Sequence, residues 1–300
     1  MFIAVDLGTT YTKIHTGDIF PSGISENICL SSNVLTINNK QYAMELQHAN
    51  AFDININKGL NKNTRLNFIY ALGKSANDEN TVYNDTFVSL PCSQWKNQTT
   101  VEKYKKYLSI SEPLDIEING YKKTIKTEEI SVLPEDASSY YASDMDNQRF
   151  EGRKTLVCGF GSLTFNSILF ENDEIIDLYT DEIGILKIYK DMAEAISSYT
   201  GENIEYTDMF NILQNGLYIN GILVDIEPTI KPIALYHSNN IYKNLKLKWS
   251  ISSIPFVPIV GGGAITMYKY LKTFIPHLEI TAKPQLLSVI GMGSLVGCKL

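Results

Sequence analysis

The residues with the clearest capacity for chemistry stand at the start of the chain, in the sequence Met1-Phe-Ile-Ala-Val-Asp-Leu-Gly-Thr-Thr10. The apolar run Phe2 to Val5 predicts a buried strand that stops at Asp6. Gly8 then permits a tight reversal, and Thr9 and Thr10 follow it. Backbone N–H and hydroxyl groups in such a turn can wrap a phosphate chain, and a carboxylate at its mouth can hold Mg²⁺ through water. These residues suit a magnesium–phosphate ligand.

A returning strand completes this first loop. Residues Tyr11 to His15 alternate in the manner of a strand, and Lys13 within it is able to reach the same phosphates. An ordinary β-hairpin accounts for the same residues. The first loop alone therefore leaves both interpretations open.

A second loop, Leu156-Val-Cys-Gly-Phe-Gly-Ser-Leu-Thr164, mirrors the first. Gly161 and Ser162 have the residue types to cradle phosphates, with Thr164 beside them. A plain hairpin that uses its glycines for the turn is the alternative interpretation, and the segment alone does not decide between them.

A third loop consists of Gly261, Gly262 and Gly263, which follow a predicted strand, Pro255 to Val260, and precede a predicted helix, Ile265 to Phe274. Glycines let the backbone approach a flat ring or a phosphate, and the start of a helix adds positive potential. The alternative is a glycine-rich linker, but the apolar strand and the helix on either side favour a binding loop.

The elements that must position these loops alternate between strands and helices, which predicts an α/β fold. Strand pairs are predicted around the turns Asn38-Asn39, Asn119-Gly120 and Asn220-Gly221. The predicted helices are Thr64–Leu72 ending at Gly73, Thr99–Leu108 capped by Thr99 or Thr100, Pro134–Ser143, Ile185–Tyr199, Asp208–Leu213, Thr229–Leu247 broken near Asn239-Asn240, Ile265–Phe274 and Gln285–Leu295. A β-β-β-plus-helix unit occurs once in each half, and the polar stretch Asp144 to Lys154 separates the halves, so we expect two lobes that close on one ligand.

Composition restricts the function further. The chain has 300 residues, of which 44% are hydrophobic, and a net charge of −7; its pI is about 5.2. An acidic chain is not expected to bind nucleic acid directly. Four cysteines without a C-x-x-C pair and only four histidines argue against a zinc site. We see neither a signal peptide nor a membrane-spanning run, and we expect a cytoplasmic protein without a membrane partner.

Five motifs together carry a family resemblance. In chain order they are Asp6-Leu-Gly-Thr-Thr10, Leu133-Pro-Glu-Asp-Ala137, Gly161-Ser-Leu-Thr164, Val260-Gly-Gly-Gly-Ala264 and Ile290-Gly-Met-Gly293. Their order over nearly the whole chain resembles the actin superfamily, which also contains sugar kinases and ATPase chaperones. The compact length and the phrase Val88-Ser-Leu-Pro-Cys-Ser-Gln-Trp95 further resemble the bacterial plasmid-segregation actins, the ParM-like group.

This resemblance implies a two-lobed actin-like ATPase fold with a central nucleotide cleft. Lobe I would span residues 1–150, with the first phosphate loop and a hinge helix at 134–143. Lobe II would span residues 151–283, with the second phosphate loop and the adenosine motif. Residues 284–300 would form a helix that returns to lobe I.

The resemblance also implies a role for each loop. Asp6 would help to hold Mg²⁺, and Glu135 would help to position the attacking water, although a solvated glutamate at a helix start is an equal alternative for Glu135. The phosphates of ATP or ADP, or of GTP as a second possibility, would lie on Gly8, Thr9, Thr10 and Lys13 from one lobe and on Gly161, Ser162 and Thr164 from the other. Gly261, Gly262 and Gly263 would lie along the adenosine.

One position departs from the family pattern. The second phosphate loop of the family carries an aspartate two residues before its first shared glycine, and here that residue is Gly159. Asn166 likewise stands where an aspartate is common. Because phosphoryl transfer depends on positioning and electrostatics, we expect hydrolysis to be slow while binding persists. A natural slow hydrolase, a switch with little turnover and an engineered trap all remain open.

We therefore expect an actin-like protein that forms head-to-tail filaments, with ATP binding and hydrolysis controlling polymerisation. Its task would be to segregate plasmid or phage DNA through an adaptor protein. The alternatives are a non-polymerising scaffold with the actin fold and a small-molecule kinase of the same superfamily.

Overall fold

The computed structural model describes residues 1–47, 60–142 and 153–295, together with Phe52 and Ile54. The chain divides into two compact units. Unit 1 comprises Met1–Met145 and Leu286–Leu300, and unit 2 comprises Asp146–Gln285. Most of the predicted connection from Asp144 to Lys154 lies outside the described residues. No helix in the described ranges is long and apolar enough to cross a membrane.

Unit 1 is built on a nine-stranded mixed sheet with the strand order β3-β2-β1-β7-β9-β8-β5-β6-β4. Its strands are β1 (Phe2–Leu7), β2 (Tyr11–Ile14), β3 (Ile19–Pro21), β4 (Gly23–Ser25), β5 (Val34–Ile37), β6 (Lys40–Leu46), β7 (Asn80–Leu90), β8 (Leu114–Ile118) and β9 (Tyr121–Pro134). β1 pairs in parallel with β7, and β7 pairs in parallel with β9. The predicted strand pairs around Asn38-Asn39 and Asn119-Gly120 are confirmed as β5–β6 and β8–β9.

The predicted helix Pro134–Ser143 is wrong. Pro134 is the last residue of β9 and lies opposite Leu90 of β7. Asp136 then adopts a left-handed conformation with φ of 65°, and only a short 3₁₀ helix, Ala137–Tyr141, follows. Proline favours the first turn of a helix, but here the parallel pairing of β7 with β9 continues as far as Leu90 and Pro134. This pairing keeps Pro134 in the strand. Residue 143 lies outside the described ranges.

The helices of unit 1 are α1 (Lys62–Ser75), α2 (Cys92–Trp95), α3 (Gln98–Leu108) and α8 (Leu287–Ser294). α1 continues through Gly73, so the predicted end at this glycine is wrong. A β-carbon at Gly73 would lie 2.5 Å from Cδ1 of Ile118 and 2.6 Å from Cδ1 of Ile116, so these side chains would have to shift to admit one. α3 is capped by the Asn97 side chain, which accepts a hydrogen bond from the Thr100 backbone, and not by a threonine as predicted.

Unit 2 contains a five-stranded sheet with the order β12-β11-β10-β15-β16 and a separate two-stranded hairpin, β13–β14. Its strands are β10 (Thr155–Phe160), β11 (Phe165–Glu171), β12 (Glu174–Asp181), β13 (Leu217–Ile219), β14 (Ile222–Val224), β15 (Val257–Val260) and β16 (Leu278–Ile280). Its helices are α4 (Ile185–Thr200), α5 (Met209–Asn215), α6 (Glu227–Lys248) and α7 (Gly262–Leu271). The predicted hairpin around Asn220-Gly221 is confirmed, whereas β16 was not predicted.

Helix α6 runs without a break through Asn239-Asn240, contrary to the prediction. His237, Ser238 and Ile241 on either side of the two asparagines are buried. The helix therefore packs into the core of unit 2 across the expected break, and this tertiary burial outweighs the weak helix propensity of asparagine.

The two units share one arrangement of strands. In unit 1 an antiparallel meander, β1 to β3, leads to the parallel partner β7, and in unit 2 the meander β10 to β12 leads to the parallel partner β15. This confirms the repeated unit that the sequence predicted. β1 in unit 1 and β10 in unit 2 each lie between the rest of the meander and the parallel partner. Both strands are almost wholly buried, as expected for strands covered on both faces.

Candidate functional site

Asp6 and Lys13, the residues predicted to hold Mg²⁺ and phosphate, lie opposite each other on β1 and β2. The Lys13 Nζ atom is 2.5 Å from Oδ2 of Asp6, and their side chains are only 13% and 12% exposed. The ammonium group therefore neutralises the carboxylate inside the unit. A ligand at this position would have to share both groups.

Ser22 holds the turn between β1 and β2 through two hydrogen bonds. The Ser22 hydroxyl donates to the carbonyl of Gly8 at 2.7 Å, and its backbone N–H donates to the carbonyl of Thr10 at 2.9 Å. A β-carbon at Gly8 would collide with the carbonyl oxygen of Tyr11, so this turn requires glycine. Thr9 and Thr10 are partly exposed at the turn.

Helix α1 supports the same turn. The Asn67 side-chain amide donates to the carbonyl of Ser22 at 2.8 Å, and both residues are buried. Neither Ser22 nor Asn67 was predicted as part of the site. Both act through contacts with residues distant in sequence, and neither lies in a motif.

Glu135 directly follows β9, and its backbone N–H donates to the carbonyl of Leu90 at the end of β7 at 2.7 Å. Its relative exposure is 9%, the same as that of Asp6. Because β1, β7 and β9 are adjacent and parallel, Asp6 and Glu135 both lie at the carboxyl edge of the sheet. This is the edge at which open α/β sheets bind ligands.

Tyr104 of α3 is a buried residue that no sequence motif indicates. Its hydroxyl has no hydrogen-bond partner among the described residues. Burial, and then the charges of Glu135 and Asp6, raise the pKa of Tyr104 well above its usual range. The phenol therefore stays protonated. Its O–H group is a hydrogen-bond donor with no acceptor among the described residues.

The two carboxylates at this edge are of the type that a magnesium ion with most of its water accepts. Among residues 1–47, 60–142 and 153–295 no three His, Cys, Asp or Glu side chains form a ready-made metal cage. Mg²⁺ commonly binds through one or two carboxylates, several waters and the phosphates of its ligand. The buried carboxylates Asp6 and Glu135 and the unpartnered Tyr104 donor fit this description, because a donor of that kind needs a water or ligand oxygen.

In unit 2, the loop Gly161–Thr164 is held on the first turn of α4. The Gly161 N–H donates to the Thr164 carbonyl at 2.9 Å, and the Ile185 and Leu186 N–H groups donate to the carbonyls of Gly161 and Ser162, each at 3.0 Å. The loop is thus rigidly placed, and Thr164 is buried.

Gly184 makes this close approach possible and was missed by the sequence analysis. A β-carbon at Gly184 would collide with the backbone of Ser162 and Leu163. Its position immediately before the amphipathic helix Ile185–Thr200 is the one signal that could have indicated it.

The three consecutive glycines of unit 2 have different reasons for being glycine. Gly261 has φ of 90°, and a β-carbon there would lie 2.5 Å from the carbonyl oxygen of Phe160. A β-carbon at Gly263 would lie 2.7 Å from Cδ1 of the Phe160 ring. At Gly262 the nearest atom would be Nε2 of Gln285 at 3.8 Å. Packing therefore requires Gly261 and Gly263, whereas Gly262 is not required by the packing of the described residues.

Comparison with solved structures identifies this architecture. The structure of an archaeal actin homologue matches with a TM-score of 0.81 over 99% of this chain and 100% of that chain, at 15% sequence identity. The chain has the actin fold. An ADP complex of the archaeal actin homologue matches with a TM-score of 0.79 over 97% of both chains at 16% identity. A 15-stranded ParM filament from Clostridium botulinum matches with a TM-score of 0.77 over 97% of both chains at 20% identity.

These likenesses confirm the fold that the motifs predicted. No protein-family model matches the chain, and no curated protein matches it in sequence. The actin fold is therefore recognisable in the backbone and in the order of short motifs, while overall sequence similarity is low.

Gly159, which the sequence analysis expects to depart from the family pattern, lies inside β10 and is paired with Asn166 across the β10–β11 ladder. Asn166 is fully buried, and its Oδ1 accepts a hydrogen bond from the Thr180 hydroxyl at 2.9 Å. Without a side chain, Gly159 supplies no carboxylate at this point of the strand. Asn166 is already engaged with β12.

Proposed function

We propose that this chain is an actin-like protein that binds ATP with Mg²⁺, hydrolyses it slowly and assembles into filaments under nucleotide control. The observation that carries the proposal is the placement of Asp6 and Glu135 at the carboxyl edge of the unit 1 sheet, whose charges also influence the buried Tyr104 hydroxyl. The buried Tyr104 hydroxyl has no hydrogen-bond partner among the described residues, and such a donor is costly unless a water or a ligand uses it.

We propose nucleotide-binding residues in each unit, taken separately. In unit 1, Asp6 would hold the ion through water, and the turn at Gly8, Thr9 and Thr10 would donate to phosphate oxygens together with Lys13. In unit 2, Gly161, Ser162 and Thr164 would bind phosphate, and Gly261, Gly262 and Gly263 would lie along the adenosine. The ion, when bound, would neutralise charge that develops on the phosphates.

Glu135 is the residue proposed to act on water. Its carboxylate would accept a hydrogen bond from the water that attacks the terminal phosphorus, as the phosphorus–oxygen bond to the leaving ADP breaks. GTP is the second candidate nucleotide, because no described contact distinguishes the two bases.

Filament formation is proposed from the fold, supported by the ParM filament that this chain resembles. Hydrolysis would weaken contacts between subunits and so limit filament lifetime. Segregation of plasmid or phage DNA through an adaptor protein is the biological task we propose, and the net charge of −7 agrees with indirect attachment to DNA.

The first test is light scattering of the full chain after addition of Mg-ATP, Mg-GTP or neither, with phosphate release measured in the same sample. We expect scattering to rise with nucleotide and phosphate to appear slowly. Tight nucleotide binding without any rise over a wide protein concentration range would instead support a non-polymerising scaffold. Phosphate transfer to a sugar would support a kinase.

Gly159 provides a sharper prediction. The substitution Gly159→Asp supplies the carboxylate that the family motif has, and we expect phosphate release to accelerate by about tenfold or more, since one positioned group commonly contributes that much. Ser252→Asp, at an exposed position of unit 2, is the control for added charge. An unchanged rate in a folded Gly159→Asp protein would show that slow turnover has another cause.

A further inference from the structure

Unit 1 contains a recess that is lined by other residues than those at the carboxyl edge of its sheet. It is a cavity of about 310 Å³ lined by residues of the β5–β6 hairpin, the first turns of α1 and the last turn of α3. Its floor is apolar and includes the buried Leu66 and Ile69, and its rim carries Lys40, Lys62 and Arg65. We call this recess the basic pocket.

The rim of the basic pocket has more positive than negative charge. The Lys62 Nζ atom lies 2.6 Å from Oε1 of Glu26, in a pair that is largely exposed. No carboxylate in the described ranges lies within ion-pair distance of Arg65 or Lys40. Three cations therefore face one carboxylate, in a chain whose net charge is −7.

Two of the three cations, Lys62 and Arg65, lie over tyrosine rings. The Arg65 guanidinium carbon lies 5.4 Å from the ring centroid of Tyr107, and the Lys62 Nζ atom lies 4.9 Å from that of Tyr42. A guanidinium that stacks on a ring keeps its N–H donors at its edge, where they fit a carboxylate. Arg65 is thus a preformed donor for an anion.

We propose that the basic pocket binds an acidic peptide segment of a partner protein. A carboxylate of that segment would bind the rim at Arg65 and Lys40, and a neighbouring apolar side chain would pack on Leu66 and Ile69. A single-stranded nucleic acid fits less well, because stacking of bases needs free aromatic faces. Tyr42 is buried, and the Tyr107 ring already has the Arg65 guanidinium over one face. This proposal does not depend on nucleotide binding.

Fluorescence anisotropy with the full chain tests this proposal. The probe is a labelled twelve-residue peptide that alternates glutamate pairs with leucine, and it is compared with a peptide that has glutamine for every glutamate and with a labelled oligothymidine. We expect saturable binding of the acidic peptide alone, weakened by added salt.

Four variants assign the binding to the pocket. We expect Arg65→Ala to weaken binding about tenfold, which corresponds to loss of one charged hydrogen bond, and Arg65→Lys to weaken it less. Lys40→Ala removes an exposed side chain and should weaken binding with little change in thermal stability. Lys106→Ala, on the exposed face of α3 outside the pocket, should bind as the unaltered chain does.

Three results would overturn the proposal. Equal binding of the glutamine peptide would mean that the recess recognises apolar groups only. Preferential binding of oligothymidine, lost in Arg65→Ala, would make it a nucleic-acid site. No binding of the acidic peptide at millimolar concentration, or equal loss in Lys106→Ala, would exclude a peptide site at this pocket.

Discussion

At the scale of single residues, the hydroxyl of Tyr104 offers the most direct test of the candidate site. It is buried without a hydrogen-bond partner in the described part of the chain. Tyr104→Phe should therefore leave the free energy of unfolding unchanged or raise it in the absence of ligand, because no hydrogen bond is lost. We expect the thermal stabilisation by Mg-ATP to decrease in the same variant.

Tyr83 supplies the control for this substitution. Its buried hydroxyl donates to the carbonyl of Leu72 at 2.6 Å, so Tyr83→Phe should lower the free energy of unfolding by about 0.5–1.5 kcal/mol. Thermal melts of both variants with and without Mg-ATP distinguish the two roles. Equal destabilisation by Tyr104→Phe and Tyr83→Phe without ligand would show that the Tyr104 hydroxyl has a structural partner.

At the scale of elements, two glycines at the start of α7 allow a role in packing to be distinguished from a role in nucleotide binding. Gly263→Ala should lower the free energy of unfolding by about 1–3 kcal/mol, because its β-carbon would press on the Phe160 ring. Gly262→Ala has room for its β-carbon and should fold normally, yet weaken ATP binding if the backbone there lies against the nucleotide. Denaturant unfolding and nucleotide titration of the two variants measure this. Normal ATP affinity in Gly262→Ala would remove Gly262 from the site.

Helix α1 provides a second prediction at this scale. Alanine is ordinarily better than glycine inside a helix by about 1 kcal/mol. At Gly73 we expect the opposite, a loss of about 1–3 kcal/mol in Gly73→Ala, because Ile116 and Ile118 occupy the space of the β-carbon. Urea unfolding measures the difference. A stabilised Gly73→Ala protein would mean that the two isoleucines move aside at little cost.

Local chemistry explains which elements could be predicted from sequence. The turns at Asn38-Asn39 and Asn119-Gly120 need positive φ, and asparagine and glycine adopt it readily. The end of β9 could not be predicted in the same way, since the pairing of Pro134 with Leu90 joins residues far apart in the chain.

The residues of the candidate site also differ in whether the sequence alone could indicate them. The motif residues Asp6, Gly8 and Gly161 are visible in the sequence because each ends a strand or opens a turn. Ser22, Tyr104 and Gly184 could not be selected, because their importance depends on what the folded chain brings beside them. Likewise, the mutual neutralisation of Asp6 and Lys13 follows from strand register, which residue types alone do not define.

At the scale of the whole molecule, unit 1 is assembled from both ends of the chain, with all of unit 2 between them. α8 completes it: the Ser138 hydroxyl donates to the carbonyl of Ser288 at 2.8 Å. A β-carbon at Gly291 would collide with the carbonyl oxygen of Ser138, so the two backbones touch.

This arrangement sets the order of events during synthesis. Unit 2 is one continuous segment and can form its core as soon as residue 285 has left the ribosome, since domains generally fold as units. Unit 1 begins to be made first but must wait for residues 287–294 before its last helix can pack. Ribosome-bound chains arrested with residue 285 exposed should therefore show protease resistance in unit 2 and cleavage in unit 1, and release of the finished chain should protect both. We therefore expect the part of the protein that carries Asp6 and Glu135 to be the last to become native.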